Sequence, residues 1–490
     1  MTESALSRRH SRAAVIKGAV AGIAVFLAAC AGGLPNDPAS APSHIQAAWT
    51  EIGSGNQLLA RVVTSYAPAS AREPVCPYMV VDGAAQRMSL RVAAGTARQR
   101  PTASDPADSK PSAFPVSVCE ALVFASAKNA VVAGRTLPLA KPSPRRIAVI
   151  GDSGCRLKKA DKAWQACNDA SAWPFAAVAA AAAAMNPDLV LHVGDYDYRE
   201  NACPPDVAGC QGSPWGYGWD TWRADLFTPA TPLLAKAPWI VVRGNHEGCA
   251  RAGQGWYRFL DTRPYSARLS CDIATNDDAA DHADPYAVAL GADTQVIVFD
   301  SSRAEGKVAP RATDPRFATY ENQFSAVAAL AARPGMNTTI FASHHPVLAF
   351  VPAAGKAPKP GNRALQSVMQ ASNGQAYYPA GVTLALHGHV HGFQAISFAS
   401  NHPAAIVTGN AGDTLDAALP NPLPANAAPA PGTVIDRITH HASFGFLMME
   451  RPDAAAAWTF KVYTVAGQLL TTCNQSGSKL ACDKTGFLAP

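Results

Sequence analysis

Five short segments of this chain carry side chains that bind metal ions, and each comes directly after an apolar run. They read GDSG, GDYDY, GNHE, HHP and GHVH, at residues 151–154, 194–198, 244–247, 344–346 and 388–391. The apolar runs before them, such as residues 147–150 and 189–193, are rich in Val, Ile and Leu and predict buried strands. Ligands of an open α/β sheet bind at the carboxyl ends of its strands. We therefore predict that the five segments meet in one site.

The order of the five motifs resembles that of the calcineurin-like metallophosphoesterase superfamily, over roughly residues 145–464. The pattern is most similar to that of purple acid phosphatases. Most metallophosphoesterases carry Asp-x-His in the first motif, whereas this chain has Gly154 at the His position. Tyr198, three residues after Asp195, stands where purple acid phosphatases supply a replacement ligand. A phenolate is a hard, anionic ligand, so the resemblance implies Fe(III) paired with Zn, Fe(II) or Mn(II).

The resemblance also implies a set of seven metal ligands drawn from all five motifs. They are Asp152, Tyr198 and His391 for the first ion, Asn245, His344 and His389 for the second, and Asp195 as the bridge. Carboxylate, amide and imidazole donors together suit Fe, Zn or Mn, and not the all-oxygen shell of calcium. His344 is preferred to its neighbour His345 because it holds the family's ligand position before Pro346.

Two metal ions can hold both the attacking and the leaving oxygen of a phosphoryl transfer. The resemblance implies hydrolysis of phosphate monoesters by a metal-bound hydroxide, with His246 contacting the phosphate or protonating the leaving oxygen. Animal and plant enzymes have further His residues beyond the H-x-P motif, but residues 347–361 contain none. His345 is therefore an alternative general acid. Arg243 offers either a guanidinium for phosphate or an ordinary surface ion pair.

Two other functions stay open on the sequence. The same ligands would serve a phosphodiesterase or a nucleotidase, because substrate choice depends on loops such as residues 203–219 and 353–361. A lipoprotein that binds without catalysing a reaction is the alternative from another class. Descendants of that kind usually lose ligands, whereas this chain carries all seven.

The amino terminus indicates export. Four basic residues lie within the first 17 positions, and an apolar run over residues 19–29 follows them, as in a signal peptide. Residues 27–30, Leu-Ala-Ala-Cys, resemble a bacterial lipoprotein box. This implies cleavage before Cys30, its lipidation and anchoring to the periplasmic face of a bacterial membrane. The alternative is an ordinary cleaved signal and a soluble periplasmic or secreted protein.

The cysteine count agrees with export. The chain has 11 Cys, and removing Cys30 leaves an even set, which in an oxidising compartment indicates disulfides. Pairing of sequence neighbours predicts Cys76–Cys119, Cys155–Cys167, Cys203–Cys210, Cys249–Cys271 and Cys473–Cys482. The formal net charge of +5 falls to about +2 without residues 1–29, which argues against nucleic acid as a main partner. A small phosphorylated substrate and a membrane are the predicted partners.

At 490 residues the chain is too long for one small domain. We predict a signal peptide over residues 1–30, a tether over 31–43 and a small β-rich accessory domain over 44–140. From residue 145 to 490, apolar strands alternate with helical stretches, which is typical of α/β proteins. The resemblance implies a two-sheet α/β sandwich, with helices outside both sheets, as the catalytic domain.

Overall fold

The computed structural model describes residues 37–100, 109–304, 314–454 and 456–489. The predicted signal peptide, Cys30 and the first half of the tether lie outside these residues. Asp37–Pro490 form one compact unit. Among the helices of the described ranges, none has the length and apolar character needed to cross a membrane.

The first hundred described residues are β-rich, as predicted. Their strands are β1 Ile45–Ile52, β2 Leu58–Thr64, β3 Tyr78–Val81, β4 Ala84–Arg87, β5 Ser89–Val92, β6 Gly95–Ala97, β7 Ser112–Phe114, β8 Ser117–Val123, β9 Ala130–Val132 and β10 Arg135–Thr136.

The remaining strands lie in the predicted catalytic segment. They are β11 Arg146–Ile150, β12 Leu157–Lys158, β13 Ala163–Trp164, β14 Leu189–His192, β15 Trp239–Val241, β16 Tyr286–Ala289, β17 Thr294–Phe299, β18 Thr338–Ser343, β19 Val382–His387, β20 Phe393–Phe398, β21 Ala404–Thr408, β22 Ile435–His441, β23 Gly445–Glu450, β24 Thr459–Thr464, β25 Leu469–Ser476, β26 Lys479–Cys482 and β27 Gly486–Phe487. The α-helices are α1 Phe175–Ala184, α2 Trp219–Trp222, α3 Thr231–Leu234, α4 Gly253–Phe259, α5 Asp277–Ala280, α6 Pro315–Ala331 and α7 Arg363–Asn373.

Within the described residues, two large sheets dominate. The first sheet has 11 strands in the order β26-β25-β24-β23-β11-β14-β15-β1-β2-β8-β5, and the second has eight in the order β16-β17-β18-β19-β21-β20-β22-β27. Strands β11, β14 and β15 are parallel neighbours in the first sheet, and β18 and β19 are parallel neighbours in the second. Parallel neighbours end at the same edge of a sheet, so the segments that follow them lie together.

Part of the N-terminal region, predicted as an accessory domain over residues 44–140, extends the sheet of the predicted catalytic segment. Strand β1 pairs in parallel with β15 at Glu51 and Trp239, and β2, β8 and β5 continue the sheet outward. The disulfide Cys76–Cys119 and a buried core shared with β11 and β14 lie in the same compact unit. The β-rich character of this region was therefore predicted correctly, and the domain boundary stays a prediction.

The alternation of side chains along β11 explains the two-sheet sandwich. Ile147 and Val149 pack into the core between the two sheets, where they meet residues such as Leu384 of β19. Ala148 and Ile150 face the opposite side and pack against the outer helices that include α1. Because both faces of the strand are buried, its sequence is apolar throughout. Helices α6 and α7 cover the outer face of the second sheet, which confirms the predicted architecture.

All five predicted disulfides are present, with S–S separations near 2 Å. Three of them, Cys155–Cys167, Cys203–Cys210 and Cys249–Cys271, close loops that come directly after metal-binding motifs. They limit the motion of these loops, which favours a preorganised site.

Candidate metal centre

The seven predicted ligands converge at the edge where the two sheets meet. All four oxygen donors follow strands of the first sheet: Asp152 after β11, Asp195 and Tyr198 after β14, and Asn245 after β15. All three imidazoles follow strands of the second sheet: His344 after β18, and His389 and His391 after β19.

One group of donors matches the predicted first metal subsite. The Tyr198 hydroxyl lies 2.8 Å from Asp152 Oδ1 and 2.9 Å from Asp195 Oδ2. His391 Nε2 lies 3.2 Å from both the Tyr198 hydroxyl and Asp152 Oδ1. Four donor atoms from three strand ends thus surround one point. Their roles as ligands remain predictions.

The other group matches the predicted second subsite. His344 Nε2 lies 3.0 Å from Asn245 Oδ1 and 3.1 Å from Asp195 Oδ2, and His389 Nδ1 lies 3.1 Å from Asn245 Oδ1. Asp195, His344 and His389 form a cluster with metal-binding geometry. Oδ2 of Asp195 contacts both His344 and Tyr198, so this carboxylate occupies the position expected for the bridge.

Three of the seven residues have strained backbones. Asp152, Asp195 and His389 have φ angles of 56°, 59° and 68°, in the left-handed region that costs energy for residues other than glycine. Such strain persists where surrounding structure fixes the conformation, as at functional sites. The three side chains come from separate loops, after β11, β14 and β19.

The replacement of His by Gly154 has a steric basis. A Cβ at position 154 would lie 2.8 Å from Cδ2 of Tyr198 and 2.7 Å from Asp225 Oδ2. The ring of Tyr198 therefore occupies space that a side chain at residue 154 would need. The absence of His at position 154 and the presence of Tyr198 are therefore linked, because the two side chains would need the same space.

Hydrogen bonds fix which nitrogen of two imidazoles faces the site. His344 Nδ1 lies 2.9 Å from the carbonyl oxygen of Val193, and His391 Nδ1 lies 2.7 Å from that of Thr414. A carbonyl only accepts, so each Nδ1 carries the proton and donates it. The lone pair of Nε2 is left to face the site, as a metal ligand requires.

The charges of the cluster fit metal cations. Burial, followed by the charges of Asp152 and Asp195, raises the pKa of Tyr198 well above its usual range. Burial alone would lower the pKa of His344, but Asp195 and Asp152 raise it to about 9. Buried carboxylates require a compensating positive charge. This oxygen and nitrogen donor set suits Fe, Zn or Mn, so the residues present fit two such ions.

Glu247 joins two of the loops that carry ligands. Its Oε1 accepts hydrogen bonds from the backbone N–H of Tyr196 at 2.8 Å and of Asp197 at 3.3 Å, and its Oε2 accepts from Gly244 at 3.2 Å. Burial raises the pKa of Glu247 to about 8. These contacts fix the second motif to the third.

Two further acidic residues support ligands and escaped the sequence analysis. Asp413 Oδ2 lies 3.4 Å from His391 Nδ1 and is paired with Arg156, whose guanidinium lies 5.1 Å from the centre of the Tyr198 ring. Asp225 accepts a hydrogen bond from the backbone N–H of Tyr198 at 3.0 Å. Asp413 follows the apolar strand β21 at the same edge of the sheet. A search for acidic residues that follow apolar strands would therefore have identified it. Asp225 lies in a helical turn and has no such pattern.

Arg243 fits neither of its two predicted roles. Its guanidinium is buried and donates to the carbonyl oxygens of Glu247 at 2.9 Å and Ala280 at 2.6 Å, and to Asp281 at 3.1 Å. Arg243 therefore forms a buried ion pair with Asp281 and stabilises the third motif through the carbonyl oxygen of Glu247. It forms neither a surface ion pair nor a phosphate contact.

The two candidate general acids lie on opposite sides of the centre. The ring of His345 lies 4.2 Å from that of His389, and its Nδ1 is 3.1 Å from the hydroxyl oxygen of Ser301. Burial lowers the pKa of His345 to about 3. The ring of His246 lies 3.8 Å from that of Tyr198. Their parts in proton transfer remain predictions.

The fold and the site define a metal-dependent phosphoesterase with a two-metal centre. A family model for calcineurin-like phosphoesterases matches residues 145–393. The chain belongs to this family and is a phosphoric ester hydrolase.

Two solved structures share the fold. One is a purple acid phosphatase, PPD1, isolated from seeds of yellow lupin (Lupinus luteus). It is 15% identical, with 87% of this chain and 73% of that chain covered and a TM-score of 0.52. The other is PhoD, at 10% identity, with 90% and 92% of the two chains covered and a TM-score of 0.50. A search of curated proteins found no match.

Proposed function

We propose that this protein hydrolyses phosphate monoesters in the manner of a purple acid phosphatase. The observation that carries the proposal is the phenol of Tyr198, which lies within hydrogen-bonding distance of Asp152 and Asp195 and beside His391. A phenolate and two carboxylates form a hard, anionic environment, which favours Fe(III) beside a divalent ion such as Zn, Fe(II) or Mn(II). When bound, the two ions would polarise the phosphoryl group and neutralise its developing charge.

The protein's own groups have separate tasks in this proposal. Asp195 would contribute its carboxylate to both subsites, because its Oδ2 contacts both groups of donors. The Nδ1–H bonds of His344 and His391 to carbonyl oxygens hold these rings in the orientation that their ligand role requires. His246 lies beside Tyr198, 3.8 Å from the shared oxygen of Asp195, and so at the edge of the space for a phosphate.

The proposal is tested by metal analysis and turnover on the same purified protein. We expect about two metal ions per chain, a visible absorption band from the iron–phenolate pair, and hydrolysis of an aryl phosphate monoester in preference to the matching diester. A colourless protein that is active with zinc or manganese would contradict the iron assignment alone. Preference for the diester would contradict the monoesterase and favour the phosphodiesterase or nucleotidase alternative. No turnover with full metal content would favour a binding lipoprotein.

The proposal includes export and a lipid anchor at Cys30. It is supported by the signal-like amino terminus and by five disulfides, which persist in oxidising compartments. Metabolic labelling with a radioactive fatty acid tests it. We expect label in the wild-type chain and none in Cys30→Ser. A wild-type chain cleaved elsewhere and released without label would contradict the anchor and support a soluble exported protein.

A further inference from the structure

A basic groove lies at the edge of the first sheet that is opposite to the metal centre. Its volume is about 930 Å³, it lies where β11 and β14 begin, and its basic lining residues are Lys141, Arg145, Arg146, Arg451 and Lys461. A strand rises about 3.3 Å per residue, so Arg146 and the predicted ligand Asp152 are roughly 20 Å apart. Charges are largely screened beyond about 8 Å at physiological ionic strength. The groove therefore does not attract substrate to the metal centre.

Arginines give the groove its excess of positive charge. Both carboxylates of the lining are paired with a lysine, in the pairs Lys141–Asp188 at 2.5 Å and Lys461–Glu450 at 2.6 Å. Arg451 is buried and pairs with Asp293 at 3.5 Å. Arg145 and Arg146 are exposed, and the guanidinium of Arg145 donates to the carbonyl oxygen of Pro452 at 3.0 Å. A carbonyl carries no net charge, so this contact orients the guanidinium without neutralising it.

The chain enters the fold at the same edge of the sheet. Strand β1 is parallel to β15, β15 to β14 and β14 to β11, so all four strands begin at the edge that holds the groove. From Asp37, two short helical turns lead to the start of β1 at Ile45. Cys30 and Asp37 are seven positions apart in the sequence, which is at most about 25 Å of extended chain. A lipid on Cys30 would therefore hold this edge towards the membrane.

We propose that the basic groove binds the anionic headgroups of a lipid bilayer, so that the metal centre of the anchored protein faces the aqueous compartment. Guanidinium groups form strong, charge-assisted hydrogen bonds with phosphate oxygens. The inference rests on the lipid anchor of the proposed function. It also names the substrate class, because a centre roughly 20 Å from the bound headgroups acts on water-soluble phosphate esters and not on phospholipids of the same bilayer.

Vesicle binding tests the groove separately from the anchor. The parent chain is the full-length, metal-loaded protein with Cys30→Ser, which cannot carry the lipid. Its binding to phosphatidylcholine vesicles, with and without phosphatidylglycerol, is measured by sedimentation. A basic residue at an anionic membrane surface strengthens binding about fivefold. Adding Arg145→Gln and Arg146→Gln should therefore weaken binding to the anionic vesicles by about 10- to 30-fold, and leave binding to the neutral vesicles unchanged.

Two further double variants separate the charge of the groove from other effects. Arg145→Lys with Arg146→Lys keeps both charges, so binding to anionic vesicles should stay within about threefold of the parent chain. Lys356→Gln with Arg363→Gln is the matched control, because these exposed residues follow β18, on the side of the metal centre. It removes the same amount of charge and should leave binding unchanged.

Hydrogen–deuterium exchange of the parent chain on the same anionic vesicles tests the orientation. We expect slower exchange over residues 141–146 and 456–461, and unchanged exchange over residues 194–198 and 388–391. Slower exchange around the metal ligands, equal binding of the parent chain to both kinds of vesicle, or equal binding of the glutamine variant and the matched control would overturn the inference. These outcomes leave the proposed function standing, because turnover and lipid labelling at Cys30 are measured independently. An unlabelled Cys30 would instead contradict the anchor, and the vesicle assay would still decide whether the groove binds lipid.

Discussion

The two sheets contribute different chemistry to the centre. The first sheet supplies every oxygen donor among the seven predicted ligands, and the second supplies every imidazole. The oxygen donors of the first sheet are held in place by strained backbone at Asp152 and Asp195 and by the three hydrogen bonds of Glu247. The imidazoles of the second sheet are held largely by hydrogen bonds from Nδ1 of His344 and His391 to backbone carbonyl oxygens.

This difference shows that neither sheet forms a complete metal site. The bond from His344 Nδ1 runs to Val193 O, which follows β14, so it crosses from the second sheet to the first. Metal ions bound to oxygens of one sheet and imidazoles of the other would cross-link the two layers.

Asp195→Asn should remove most of the activity. The substitution leaves shape nearly unchanged but removes the charge of a residue whose Oδ2 contacts both groups of donors. Metal ions contribute several kcal/mol to charge stabilisation in the transition state, and about 1.4 kcal/mol corresponds to a tenfold change in rate. We therefore expect kcat/KM for an aryl phosphate to fall by about 10³-fold or more. Turnover near the wild-type value would contradict the bridging role.

Removal of metal should destabilise the packing of the two sheets. A ligand present at about 1,000 times its dissociation constant stabilises the folded state by about 4 kcal/mol. We expect the midpoint of thermal unfolding to fall by several degrees after dialysis against a chelator, and to recover when metal is restored. Asp195→Asn is the matched control, since it should show a smaller shift. An unchanged midpoint in the wild type would show that the ions do not link the layers.

Tyr198→Phe separates the first subsite from the second. The change removes a single oxygen donor, so we expect loss of the visible band and weaker binding of the first metal ion, while the second ion stays bound. Mutation of the groups that support metal ligands costs about 10- to 100-fold in affinity, and loss of a ligand itself should cost at least as much. Tyr196→Phe is the control, because the hydroxyl of Tyr196 bonds to the carbonyl of Val242 at 3.0 Å. A band retained in Tyr198→Phe would exclude the phenolate as its origin.

Buried histidines of the second sheet should also make the stability of the folded protein sensitive to acid. Burial lowers the pKa of His441, in β22, from 6.5 to about 4. A lowered folded-state pKa means that the unfolded chain binds more protons between these values, so stability falls as the pH drops from about 6.5 to 4. We expect His441→Gln to reduce this fall by about 1–3 kcal/mol, measured by denaturant unfolding at each pH. A fall of the same size in wild type and His441→Gln would contradict the role of His441.

The sequence indicated the residues that converge at the candidate metal centre, but not the residues that surround them. The ligands follow apolar strands, and strand ends of parallel neighbours lie together, so local pattern and fold agree at these positions. Arg251 and Asp225 lie in turns and helical segments, and they reach the centre only through tertiary contacts. The parallel pairing of Glu51 with Trp239 joins segments far apart in the chain. No local pattern encodes that pairing, so the sequence did not predict that β1 extends the first sheet.

The two groups of donors imply that two cations lie between the two sheets. The decisive experiment is a crystal structure of the metal-loaded protein, with anomalous scattering measured at the absorption edges of iron and zinc. We predict two peaks on either side of Asp195, one within coordination distance of Tyr198 and His391 and the other of Asn245 and His344. A single peak, or two peaks whose ligands come from one sheet only, would contradict the account.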